Sequence, residues 1–146
     1  MDGSYAEKNA AELARLRELA NRLGDADLAQ PLGDGWTVAA TLAHCAFWDR
    51  MALLRWRSWE QDGMRLVPLE LDVINGAMLP QWLALPGREA LRLAVEAAEE
   101  IDRKIESLPA QLAEEYRTSG RAQWMLETWE HRREHLDEIE QVIREC

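Results

Sequence analysis

The sequence predicts an all-α protein, one domain spanning 1-146, built as a four-helix bundle with an extra short helix between the second and third long helices. Three observations carry that expectation. Four long stretches repeat apolar residues at helical spacing, no stretch alternates apolar with polar as a half-buried strand does, and Gly and Pro fall between the long stretches rather than inside them. A chain of 146 residues is long enough to bury a core without disulfides or a structural metal.

The first helix is expected from Tyr5 to Leu23, with Leu13, Leu16, Ala20 and Leu23 on one side, Glu12, Arg15 and Glu18 on the outer face, and Gly24 as a C-cap. A connection rich in turn residues, DADLAQPLGDG, leads to Thr37, which suits the N-cap of the second helix. That second helix, Val38 to Gln61, carries one apolar stripe at Val38, Leu42, Cys45, Leu53 and Trp56. His44, Phe47, Trp48 and Met51 lie on its far side. A helix apolar nearly all round touches several neighbours, which puts His44 in the interior. Residues 63–87 are irregular, with a short helix expected at Leu71 to Leu83 whose Ile74, Met78, Leu79 and Trp82 face inward; segments of this kind often wall a binding site. The third long helix, Arg88 to Leu108, repeats Leu91, Val95, Ala98, Ile101, Ile105 and Leu108, with Pro109 past its end. After LPAQLAEEYRTSG, Gly120 marks a break. The fourth helix is expected from Arg121 to Glu145.

Charge and composition narrow the function. A formal charge of −10 argues against a phosphate-binding surface, so no nucleic-acid partner is expected. No apolar run is long enough to span a bilayer, and MDGSYAEKNAAEL lacks the basic-then-apolar pattern of a signal peptide, so a cytoplasmic protein with no membrane partner is expected. Cys45 and Cys146 are too few and too far apart to form a disulfide framework; Cys45 is expected as a small core residue. Seven Trp and the apolar second helix leave surplus apolar surface that can seal a homodimer.

The chemistry-bearing residues concentrate on the fourth helix. His131 and His135 are four residues apart, so their imidazoles project from one side of it, about 5–6 Å apart at Cβ. On a wheel of about 100° per residue, they fall with Trp124 and Val142 along one edge of the stripe made by Met125, Leu136, Ile139 and Ile143. A pair so placed can face a pocket as two metal ligands, or it can be two half-buried, hydrogen-bonded histidines. His44 is open to the same two readings. On the same wheels Asp49 falls amid Val38, Leu42, Leu53 and Trp56, and Arg132 between Met125 and Ile139. Two interior charges call for pairing, so an Asp49–Arg132 interaction or contacts that brace the site are expected. Glu127, Glu134 and Glu138 lie on the histidine side, where a solvated acidic face is the simpler reading.

GWTVAATLAHCAFWDR, opening the second helix, and WEHRREHLDEIE, on the fourth, resemble the corresponding segments of the DinB-like superfamily, which includes the mycothiol-dependent maleylpyruvate isomerase-like bundles. The resemblance extends over essentially the whole chain. It implies a four-helix bundle of DinB-like type, often dimeric, with a divalent metal held by one His of the second helix and two residues of the fourth. Here those positions are His44, His131 and His135, and zinc or nickel is the expected metal.

The resemblance further implies an enzyme that transfers a low-molecular-weight thiol to a small electrophile. The alternatives are a hydrolase using metal-activated water and a bundle that binds metal or ligand without turnover. Three imidazoles leave a coordination position open, as catalytic sites do, and all these chemistries share that ligand set. The enzyme reading expects a small-molecule pocket lined by Trp48, Met51 and part of the middle segment, with Arg55 as a cationic spot for a thiol's carboxylates.

Overall fold

The computed structural model describes residues 4–144. Its elements run α1 (Ser4–Arg22), α2 (Asp25–Leu28), β1 (Pro31–Gly33), β2 (Trp36–Thr37), α3 (Val38–Asp62), α4 (Leu71–Ala84), α5 (Gly87–Glu106), α6 (Ala110–Arg117) and α7 (Thr128–Arg144). The long helices α1, α3, α5 and α7 form the expected bundle, with α4 laid against α3. Contacts between helices give their directions. Asn9 meets Leu126 while Arg15 meets Asp137, so α1 and α7 run parallel. His44 meets His131 while Trp56 meets Met125, so α3 runs against α7. Arg50 meets Glu100 and Lys104 meets Glu60, so α3 and α5 run together. Among the described residues no helix is long and apolar enough to cross a membrane.

Thr37 caps α3 as its sequence position suggests, its Oγ1 accepting the Ala40 N–H at 3.0 Å. The middle segment also folds as expected: α4 buries Trp82 and half-buries Ile74, Met78 and Leu79, and it passes through Pro80 without interruption.

Glu12 is not on the outer face of α1: it is buried and pairs with Arg15 and Arg133. Four further local expectations need correction. First, the connection before α3 contains a small antiparallel hairpin, β1 with β2, whose turn takes positive φ at Gly33 (105°), Asp34 (53°) and Gly35 (84°). Asp-Gly is a hairpin signal, but strands this short show no alternation. Second, Gly24 is not a left-handed C-cap; at φ −92° it opens α2, and its N–H donates to Asp27 Oδ2 at 2.9 Å. Third, the stretch before Gly120 contains α6, which buries Leu112, Ala113 and Tyr116. Fourth, the last helix starts at Thr128 rather than Arg121. Its expected end at Glu145, and Cys146, lie outside the described residues.

Tertiary hydrogen bonds explain that late start. The Trp56 indole donates to the Met125 carbonyl at 2.9 Å, and Asn9 donates to the Leu126 carbonyl at 2.8 Å while accepting the Trp129 N–H at 3.0 Å. Residues 121–127 have adequate helix propensity, but these partners take the backbone groups that a longer helix would use on itself.

The core has two apolar halves, one around Leu16, Leu19, Leu42, Leu136 and Ile139, the other around Trp56, Ile101, Tyr116 and Met125. A polar layer lies between them. Arg132, 4% exposed, donates to both oxygens of Asp102 (Nη1–Oδ2 3.0 Å, Nη2–Oδ1 3.2 Å) and to the Asn9 carbonyl at 3.2 Å. Thr128 Oγ1 adds a hydrogen bond to Asp102 at 2.9 Å. Asp49 does face Arg132, but at 3.7 Å it is the more distant partner. Burial, opposed by the Arg132 charge, pushes the Asp49 carboxyl up to about 6. The layer ties α1, α3 and α5 to the first turns of α7, and thereby sets the register of the two histidines on that helix.

Candidate metal centre

His44 lies in the second turn of α3, and His131 and His135 project one turn apart from α7. The antiparallel packing of α3 on α7 brings them together. His44 Nε2 stands 3.0 Å from His131 Nε2, and His135 Nε2 stands 3.1 Å from the same atom. All three residues offer a ligand atom within 4.8 Å of the others, a group that could hold a metal ion. Nitrogens sharing one ion at about 2.0–2.1 Å each are held roughly 3–3.5 Å apart around it, so little movement is needed to admit one.

Protons alone do not satisfy this cluster. A neutral imidazole has one N–H and one lone pair in its ring plane, and His131 Nε2 cannot serve two facing nitrogens at once with either. The outer nitrogens offer no relief, because Nδ1 of His44 and Nδ1 of His135 are buried without a hydrogen-bond partner among the described residues. Glu138 Oε1 lies 3.3 Å from His135 Nδ1, close enough for an ion pair but misaligned for a hydrogen bond. A small rotation would let it accept that N–H and leave the Nε2 lone pair free, the usual way a carboxylate braces a ligating histidine.

Burial also keeps the imidazoles in their ligand form. It lowers His44 to about 4, helped by the His135 charge, and His131 to about 3, helped by His135, His44 and Arg132. His135 is lowered as well, burial outweighing the pull of Glu138 and Glu134. All three are neutral near pH 7.

The triad forms one wall of an open cavity of about 550 Å³, a volume in the usual range for small-molecule sites. Trp36 and Trp82 stand edge-on to His44, each with ring centroids 5.4 Å from it. The Trp48 indole donates to Asn75 Oδ1 at 2.8 Å and so joins α3 to α4 along the cavity wall. Leu71, Asp72 and Asn75 bring the middle segment to the site, while Leu32, Asp34 and Trp36 come from the hairpin. Met51 is half-buried on α3 and does not line this cavity. Arg55 lines a neighbouring one, with its guanidinium over the Trp59 ring at 4.9 Å. Burial and the Asp49 charge push the Cys45 thiol up, away from an activated thiolate.

Sequence reasoning passed over the hairpin's contribution, Asn75 and Asp102. A polar residue within a short, mostly apolar helix was the available signal for Asn75. Asp102 falls four residues after Ala98 in the third helix's apolar stripe, which was the signal for it.

Residues 10–142 match the family model of the DinB superfamily. No curated protein and no solved structure matches the chain.

Proposed function

The chain belongs to the DinB superfamily, and from that premise we propose that it is a divalent-metal-dependent enzyme, with His44, His131 and His135 holding zinc or nickel, that transfers a low-molecular-weight thiol to a small electrophile. The observation that carries the metal is the meeting of three neutral Nε2 atoms that protons cannot satisfy. Their position on the wall of an open cavity supports a working site over a closed structural one. When bound, the ion would act as a Lewis acid that lowers the pKa of a thiol or a water and makes it a nucleophile near neutral pH.

The chain's own residues supply the rest. Trp36 and Trp82 confine the His44 ring and keep bulk water from that side. The Trp48–Asn75 hydrogen bond holds α4 against α3, so the cavity keeps its width. Glu138, 3.3 Å from His135 Nδ1, would accept its N–H after a small rotation and leave Nε2 free for the ion. One observation favours hydrolysis as the second reading: Asp34, Asp72 and Glu138 line the cavity without a Lys or Arg among the residues around it, which suits proton removal from water better than the docking of an anionic thiol. We further propose a homodimer, supported by the exposed apolar side chains Leu54, Leu66, Val67, Leu71, Val73 and Leu83.

Metal analysis of protein purified without added metal is expected to show about one ion per chain, lost in His135→Ala. Thiol consumption with a model electrophile, run beside ester hydrolysis, then separates the two reactions. Wild-type protein that takes up no zinc or nickel even when these are supplied overturns the proposal. Full metal occupancy with neither turnover leaves a binding bundle and removes the enzyme.

A further inference from the structure

A second cavity, about 210 Å³, adjoins the histidine cavity and shares Leu71 and Trp124 with it. Their charges are opposite. The histidine cavity has Asp34, Asp72 and Glu138, whereas the second has Arg55 and Arg121 and no carboxylate. In a chain with 27 acidic and 17 basic residues this is the reverse of the average surface, on which a guanidinium usually finds an acid. Arg15, Arg17, Arg50, Arg88, Arg92 and Arg132 each have an ion pair. Arg55 and Arg121 have none among the described residues, and unlike Arg57, Arg65 and Arg103, which also lack one but are exposed, both are half-buried.

Nor are they simply solvated. Arg55 is half-buried, with its guanidinium carbon over the Trp59 ring at 4.9 Å from the centroid. Arg121 is half-buried in the irregular segment before α7. Tyr116 lines the same cavity and spends its hydroxyl proton on the Ala122 carbonyl at 2.6 Å, which anchors the segment carrying Arg121. Burial and the Arg121 charge both lower the Arg55 pKa, as expected of two cations held near each other with no anion between them.

We propose that Arg55 and Arg121 form a subsite for the carboxylate of a small organic acid whose remaining part reaches past Trp124 into the histidine cavity. Two guanidiniums bind a carboxylate through charge-assisted hydrogen bonds. The other walls, among them Val67, Leu69, Leu71 and Met125, suit the apolar stem that joins a carboxylate to its reactive end. The carboxylates of the histidine cavity repel that same anionic end, so the ligand has one favoured orientation. Only its reach toward the triad rests on the function proposed above; the subsite itself needs no metal.

The test therefore uses metal-free, chelator-treated protein and butyrate, followed through the indole N–H resonances in NMR. Of the seven Trp, only Trp59 and Trp124 line this cavity, so their signals should shift saturably. Butyramide, which lacks the charge, should produce no shift. Losing one charged hydrogen-bonding partner in Arg55→Gln or Arg121→Gln should weaken butyrate roughly 10–100-fold. Arg57→Gln, on the exposed side of α3, should bind as wild type does. Arg121 lies outside any helix, so Arg121→Gln decides the matter if Arg55→Gln fails to fold. The proposal is overturned by shifts that do not saturate, by unchanged affinity in Arg121→Gln, or by inorganic phosphate binding more tightly than butyrate. A protein that binds butyrate but no metal keeps this subsite and loses the metal reading.

Discussion

With no metal bound, the histidine triad should make the fold sensitive to mild acid. Burial holds His44 at about 4 and His131 at about 3, against an ordinary value of 6.5. The unfolded chain therefore takes up protons from near 6.5 downward while the folded chain does not, and stability falls as pH drops through that window. Between about pH 7.5 and pH 5 each of these two histidines removes about 2 kcal/mol. His135 acts in the same direction. Asp49 opposes them. Its carboxyl is raised from 3.8 to about 6, so the folded state gains its proton first. That returns about 1.4 kcal/mol over the same interval, leaving a net loss of about 2–3 kcal/mol. The measurement is urea unfolding followed by far-UV circular dichroism, in chelator, near pH 7.5 and near pH 5. His131→Gln should remove about 2 kcal/mol of the loss, and Asp49→Asn should increase it to about 4 kcal/mol. Metal-free wild type that is equally stable or more stable near pH 5 would refute the account, because the three rings would then be as free to take protons as in water.

The remaining predictions concern the polar layer and the assembly. Asp102→Ala leaves the Arg132 guanidinium buried with only the Asn9 carbonyl and the more distant Asp49, so it should cost about 3–5 kcal/mol and lower the midpoint of thermal unfolding by roughly 10–15 °C. Asp49→Ala should cost clearly less at neutral pH, since its carboxylate stands 3.7 Å from Arg132 and is itself disfavoured by burial; equal losses in the two variants would mean that the two acids share the guanidinium evenly. Sedimentation equilibrium should give twice the mass of the 146-residue chain, with Val73→Glu shifting it toward one chain, and a single-chain mass for the wild type would remove the dimer.

The sequence's reach into this structure follows the range of the interactions. Apolar spacing is local, so the four long helices and α4 were legible, down to the inward-facing Ile74, Met78, Leu79 and Trp82. The four-residue spacing of His131 and His135 is local too, and the apolar surroundings of His44 indicated burial. Other features depend on partners far along the chain. Residues 121–127 carry helix-forming residues, yet Trp56 and Asn9, more than sixty positions away, hold their backbone out of α7. Arg55 lies seven residues beyond Trp48, two helical turns along α3, and that offset places it at the second cavity, while Trp48 reaches the first.

The polar layer connects these long-range facts to the site. Arg132 follows His131 directly, and it is locked to Asp102 by two hydrogen bonds and to the Asn9 carbonyl by a third. Slipping α7 by one residue would turn it by about 100° and carry both of its imidazoles off the wall facing His44. Ring nitrogens that meet at 3.0 and 3.1 Å tolerate no such slip. The buried arginine therefore contributes to the histidine cluster by fixing rotation, through hydrogen bonds that go to Asp102 and Asn9 rather than to the rings. Arg132→Met illustrates the difference between stability and register. A methionine can fill the space and remove the desolvation of a buried charge, so the variant can fold well. It no longer specifies which face of α7 meets α3, so its zinc affinity should fall even where its unfolding free energy does not. A variant that kept wild-type affinity would show that apolar packing alone sets the register, and the polar layer would then have no part in the site.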